Sequence, residues 1–159
     1  MRNLIAGMVL GLVAVSVAAG ENPAQAVDPA AAATEPMAGA RQAALDVGKL
    51  AGKSKHEVAD YLGSPGRCKF HRWGEICRYR KRNVEILYIS GKADWITVEG
   101  LKDTAFEPEA LRSLGLSVKE PDVRDEKSML WKDLDGLKEV TIFNTRGMVD
   151  HAYIKVATP

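Results

Sequence analysis

From Val84 to Val156 apolar and polar side chains alternate along short runs, the two-residue period of strands buried on one face. Val84-Glu85-Ile86-Leu87-Tyr88-Ile89 leads through Ser90-Gly91 into a second run, Lys92-Ala93-Asp94-Trp95-Ile96. The segment 140–152 aligns on 84–96 without gaps, with Val, Ile, Gly and Asp recurring at the same offsets. Each copy predicts a strand, a glycine turn and a returning strand. One further strand is expected ahead of each hairpin. In the second copy it runs from about Ser128 to Leu134 and turns at Asp135-Gly136, a type I′ signal. That turn sets Asp133 opposite Lys138 and Lys132 opposite Glu139, opposite charges in both cases.

Upstream of each hairpin the period lengthens to a helical one ending in Leu-Gly, at Glu57 to Gly63 and again at Glu109 to Gly115. Ser54 can cap the first helix with Glu57 at the capping-box position, and Gly63 supplies the stop. Pro108 and Gly115 bracket the second helix in the same sense. The expected architecture is α+β: a helix plus a three-stranded antiparallel sheet in tandem, pseudo-repeats about 45–100 and 101–157, with the helices packed on one face.

Parity then sorts the strand residues into two faces. A hairpin loop of even length puts residues of opposite parity on one face, which groups Val84, Ile86 and Tyr88 with Ala93, Trp95 and Thr97. In the second copy Trp131, Val140, Ile142 and Asn144 join Val149, His151 and Tyr153. The other face holds Leu87, Ile89, Ile96, Val98, Phe143, Ala152, Ile154 and Val156, mostly aliphatic and suited to burial under helices. The first face mixes aromatic rings with polar tips, the composition of a recognition surface. The alternative is that its aromatics form the second half of an ordinary core.

The N-terminal residues follow a different pattern. Met1-Arg2-Asn3 precedes an apolar stretch from Leu4 to Ala19, shorter than the ~20 residues of a spanning helix. Small-x-small triplets follow at Ser16-Val17-Ala18 and Ala24-Gln25-Ala26. Residues 1–26 therefore read as a secretory signal peptide, and the chain is expected in the periplasm or secreted, with no membrane span after cleavage. An uncleaved anchor is the alternative. Residues 27–40, rich in Ala and Pro, read as a flexible tether, and 41–159 as one domain. Basic and acidic side chains nearly balance, 22 against 21, which argues against a dedicated nucleic-acid binder.

Two cysteines in an exported chain change the picture further. The stretch between Cys68 and Cys77 reads as a hairpin turning at His71 to Gly74, with Phe70 opposite Glu75 and the two cysteines opposite each other. A cross-strand disulfide is the default there. A Cys68–His71 nucleophile and base, or a zinc site on Cys68, His71 and Cys77, are the rival readings; no acid or oxyanion hole is placed for the first and a fourth ligand is missing for the second. No cofactor or metal is expected. The same region is basic: Arg67, Lys69, Arg72, Arg78, Arg80, Lys81 and Arg82 against Glu75 alone, with Trp73 at the hairpin tip. Such a patch suits an acidic protein, lipid phosphate or anionic glycan, although solvated turns would look the same. An acidic stretch, Glu120-Pro121-Asp122-Val123-Arg124-Asp125-Glu126, offsets it.

The run Gly52-Lys53-Ser54, then Val58, Gly63 and Pro65, resembles the helical entry of the SmpA/OmlA small outer-membrane lipoproteins, accessory subunits of the β-barrel assembly machine. With Cys68 and Cys77 following, and in two copies, it is also similar to the β-lactamase inhibitory protein fold, a tandem repeat with a concave, target-gripping sheet. The resemblance implies the fold and a non-enzymatic role. This chain has no lipobox cysteine and no cysteines in its second copy, so barrel assembly and β-lactamase inhibition do not carry over.

The function expected is that of an exported, non-catalytic envelope protein that binds another macromolecule or accompanies an assembly. Its candidate binding residues are Trp73, Tyr88, Trp95, Trp131, His151 and Tyr153, with Arg78, Arg80, Lys81 and Arg82 on the basic hairpin. The partner would be an envelope protein or an anionic envelope component, not nucleic acid. The alternatives are a structural or stress-related periplasmic protein without a specific partner and a small hydrolase using residues such as His151.

Overall fold

The computed structural model describes residues 45–156; the expected signal peptide and tether lie outside them. The described residues open with a 3-10 turn, Val47–Lys49, and then helix α1, Lys55–Leu62. Eight strands follow: β1 (Arg67–His71), β2 (Gly74–Tyr79), β3 (Val84–Ile89), β4 (Lys92–Glu99), β5 (Val123–Arg124), β6 (Ser128–Leu134), β7 (Leu137–Thr145) and β8 (Met148–Val156). A second 3-10 turn, Arg80–Arg82, joins β2 to β3, and a third, Pro108–Leu114, precedes β5.

The helix starts where its cap dictates. The Ser54 backbone N–H donates to the Glu57 carboxylate at 2.9 Å, and the Glu57 N–H returns a bond to the Ser54 hydroxyl at 3.4 Å. Gly63 closes it, its N–H donating to the Ala59 carbonyl at 2.8 Å. The Gly-x-Ser, Val, Gly, Pro spacing thus encodes helix punctuation, which any short capped helix shares. The second expected helix is a 3-10 segment. Its buried Pro108, Leu111 and Leu114 recur every third residue, the 3-10 period, so that winding turns all three toward the sheet.

All eight strands belong to one antiparallel sheet in the order β1-β2-β3-β4-β8-β7-β6-β5. This corrects the expected α+β tandem of helix plus three-stranded sheets. The protein is predominantly β, because β4 and β8 pair from Trp95 to Glu99 and merge two four-stranded meanders into one sheet. The meanders enter that sheet alike. Ser54 bridges to Lys92 at the start of β4, and Ala105 bridges to Met148 at the start of β8.

Each glycine hairpin turns through two residues with positive φ, Ser90-Gly91 and Arg146-Gly147, the type I′ geometry that glycine favours. Beyond each turn the register slips by one residue. Tyr88 faces Ala93 but Leu87 faces Trp95, and Asn144 faces Val149 but Phe143 faces His151. The extra residues are Asp94 and Asp150, at the same offset in the two copies. A β-bulge of one residue exchanges the faces of everything beyond it.

The buried face consequently carries Ile86, Tyr88, Ala93, Ile96, Val98, Trp131, Val140, Ile142, Val149, Ala152 and Ile154. It packs against Val47, Leu50, Val58 and Leu62 from the first half and Phe106, Leu111 and Leu114 from the second, in one continuous core. The expected aromatic face is therefore split: Tyr88 and Trp131 are core, while Trp95, His151 and Tyr153 lie on the opposite face. The expected aliphatic face divides too, with Ile96, Ala152 and Ile154 in the core and Leu87, Ile89 and Phe143 half-buried across the sheet.

Candidate functional site

The face of the sheet turned away from this core is half-buried along its centre, at Leu87, Trp95, Thr97, Phe143, His151 and Tyr153. Its middle is the β4–β8 pairing, where Trp95 lies opposite Lys155, Thr97 opposite Tyr153, and Glu99 opposite His151. The repeat relates Trp95 to His151 and Leu87 to Phe143, so the two halves of the face are built from equivalent positions around Thr97 and Tyr153.

On one side a groove of about 840 Å³ runs from the β1–β2 hairpin to β7 and β8, lined by Trp73, Leu87, Trp95, Tyr153, Lys155 and Glu85 among others. The Trp95 and Tyr153 rings meet at 5.0 Å, inclined by 53°. The Lys155 ammonium sits 4.4 Å from the Trp95 ring centroid, a cation–π contact that holds the charge over the groove floor. Partial burial, then the Glu139 charge, raises the Tyr153 phenol above its ordinary value, which keeps it a neutral hydrogen-bonding group. Trp73 and His71 close the hairpin end.

On the other side a smaller depression of about 490 Å³ lies beside Glu99, Lys102, Asp150 and His151. Here the His151 ring stacks on Phe143, centroids 4.4 Å apart and planes within 16°. Its Nδ1 is hydrogen-bonded to the Asp150 carboxylate at 2.8 Å. Among the described residues no hydroxyl or thiol is hydrogen-bonded to that ring.

The remaining expected site residues fall elsewhere. Tyr88 is 3% exposed, and its hydroxyl shares a 2.7 Å bond with that of Tyr79 inside the core. Trp131 is fully buried, its indole N–H donating to the Lys119 carbonyl at 2.8 Å. Arg78 is exposed and paired with Glu99 at 2.7 Å, across β3. Arg80, Lys81 and Arg82 form the exposed 3-10 turn at the far end of β2 from the hairpin tip. Cys68 and Cys77 are bonded to each other across β1 and β2, which removes both as thiolate nucleophiles or metal ligands. The acidic stretch serves its own loop: Asp122 accepts from the Lys132 N–H, and Asp125 from those of Lys127 and Ser128, each at 2.7 Å.

Of the residues that help to build the groove, Lys155 has no place in the sequence reading, Leu87 is expected on the opposite, aliphatic face, and Thr97 is expected on the aromatic face but not as a site residue. The signal that would have found them is the recurring aspartate. Asp94 and Asp150 mark the bulges, and counting parity from the far side of each bulge gathers Leu87, Trp95, Thr97, Tyr153 and Lys155 on one face.

No family model matches this chain, and no curated protein matches it. The structure is similar to the crystal structure of an extracellular protein containing a SCP domain from Bacillus anthracis str. Ames, at 12% identity and a TM-score of 0.51. The match covers 70% of this chain and 45% of that one, so this chain spans less than half of that protein's length. The resemblance to the SmpA/OmlA lipoproteins and the β-lactamase inhibitory protein is not upheld; the likeness found, one of fold, is to this extracellular protein.

Proposed function

We propose that the chain is an exported, non-catalytic module that binds a macromolecular partner across the open face of its sheet. The observation that carries this reading is the half-buried aromatic pair Trp95–Tyr153, held under Lys155 in a groove of about 840 Å³ on the face that the described core leaves uncovered. Tryptophan, tyrosine and a fixed cation offer large contact area with directional polar tips at small entropic cost, the composition of interface hot spots. A groove running across several strands suits an extended protein segment better than a compact metabolite. Export is supported by the disulfide, by the signal-like N-terminal pattern and by the extracellular character of the structural neighbour. Within that reading the partner is an envelope protein.

The test is capture from a detergent-solubilised envelope extract of the source organism, using the immobilised chain and a Trp95→Ala/Tyr153→Ala variant whose cooperative melt has been verified. A specific protein retained by the parent and lost by the folded variant supports the reading. Equal retention by both proteins, or by neither, defeats it.

A further inference from the structure

A second surface adjoins the hairpin end of the groove and shares Trp73 with it. The β1–β2 hairpin lies at the edge of the sheet and ends in Phe70-His71-Arg72-Trp73-Gly74. Phe70 is 91% exposed and Trp73 60%, the two most exposed large apolar side chains among the described residues. Phe70 stands beside the last ladder pair, His71–Gly74, and Trp73 lies in the turn itself, so both belong to the tip. The Arg72 guanidinium stacks 4.7 Å from the Trp73 ring centroid.

The charge around this tip is one-sided. Glu75, the hairpin's sole carboxylate, is already bound by Lys55 at 2.8 Å. Among the described residues no carboxylate forms an ion pair with Lys69 or Arg72, and both are exposed. The Cys68–Cys77 disulfide ties the ribbon just behind the aromatics, so the tip is ordered before it meets anything.

We propose that this hairpin tip docks the chain onto a bilayer surface bearing anionic phospholipid headgroups, Phe70 and Trp73 entering the interface while Lys69 and Arg72 meet the phosphates. The proposal shares Trp73 with the hairpin end of the groove but rests on the exposure and charge of the tip, not on an occupant of the groove. A tip of five residues is too small for a stable protein interface, which buries about 800 Å² on each partner. Interfacial anchoring needs far less: aromatic rings at headgroup depth and basic side chains beside them. Each basic group near an anionic leaflet strengthens binding by about fivefold, and salt screens the effect.

The experiment is sedimentation of the full chain with phosphatidylcholine vesicles, with and without phosphatidylglycerol. Binding is expected only when phosphatidylglycerol is present, weakening as salt is raised. Phe70→Ser and Lys69→Glu/Arg72→Glu should each reduce it, the charge variant by an order of magnitude or more, with unchanged melting. Val123→Ser, which removes an exposed apolar side chain at the opposite edge of the sheet, should bind as the parent does. In the Trp95→Phe background, where Trp131 is buried, the Trp73 emission should shift to the blue on adding anionic vesicles. No binding to anionic vesicles, equal binding to the zwitterionic ones, or full binding by Phe70→Ser would each overturn the proposal.

Discussion

Inside the core the hydroxyls of Tyr79 and Tyr88 satisfy one another at 2.7 Å, where each would otherwise be a stranded polar group. Replacing either tyrosine alone by phenylalanine leaves its partner unpaired, and should cost about 1–3 kcal/mol in urea unfolding; replacing both should cost less than the sum. Additive losses would show that the hydroxyls do not depend on one another. Burial, more than any other cause, raises both phenols above the ordinary value of 10.0. Their contribution is therefore complete below pH 10 and is lost as pH rises through the elevated folded values. At the head of α1 the sign is reversed. The Ser54 backbone N–H and hydroxyl hold the Glu57 carboxyl down to about 2, from an ordinary 4.5. Its stabilisation is full above pH 4.5 and disappears as pH falls toward 2, so the melting temperatures of the parent and Glu57→Gln should converge across that interval. A gap that persists at pH 2 would contradict the capping role.

At the scale of elements the hairpins carry both the fold and its surprises. The β1–β2 disulfide closes a sequence separation of 9 on an edge ribbon, and its removal in Cys68→Ala/Cys77→Ala should lower stability by about 2–3 kcal/mol in urea melts. An unchanged midpoint would mean that the ribbon contributes nothing to the cooperative unit. The register of this hairpin, the capping box at Ser54 and the type I′ turn at Asp135-Gly136 were legible in the sequence, because each depends on neighbours in the chain. The pairing of β4 with β8 was not, because it joins segments far apart in sequence and no local pattern announces it. Nor was the exchange of faces beyond Asp94 and Asp150. Strict alternation assumes an unbroken ladder, and one inserted residue in each hairpin moves Trp95 out of the face of Tyr88 and Tyr153 out of that of Trp131.

Across the whole described domain, two similar meanders share one sheet and one core, and their shared outer face presents equivalent positions on either side of Thr97 and Tyr153. The equivalence ends in chemistry: one half sets Trp95 under Lys155, the other stacks His151 on Phe143 beside Asp150. In the proposed binding role, unlike ends would give an extended partner a direction. The sequence already carried the aromatic residues of this surface, mixed with those of the core, and the described core separates them. The most direct measurement is the affinity of the purified, captured partner for Trp95→Ala/Tyr153→Ala beside Val118→Ser, which alters an exposed apolar residue outside the strands. The account predicts that the first variant melts cooperatively and binds at least tenfold more weakly, a loss of about 1.4 kcal/mol or more, while the second binds as the parent does. Undiminished affinity in the folded first variant would contradict it.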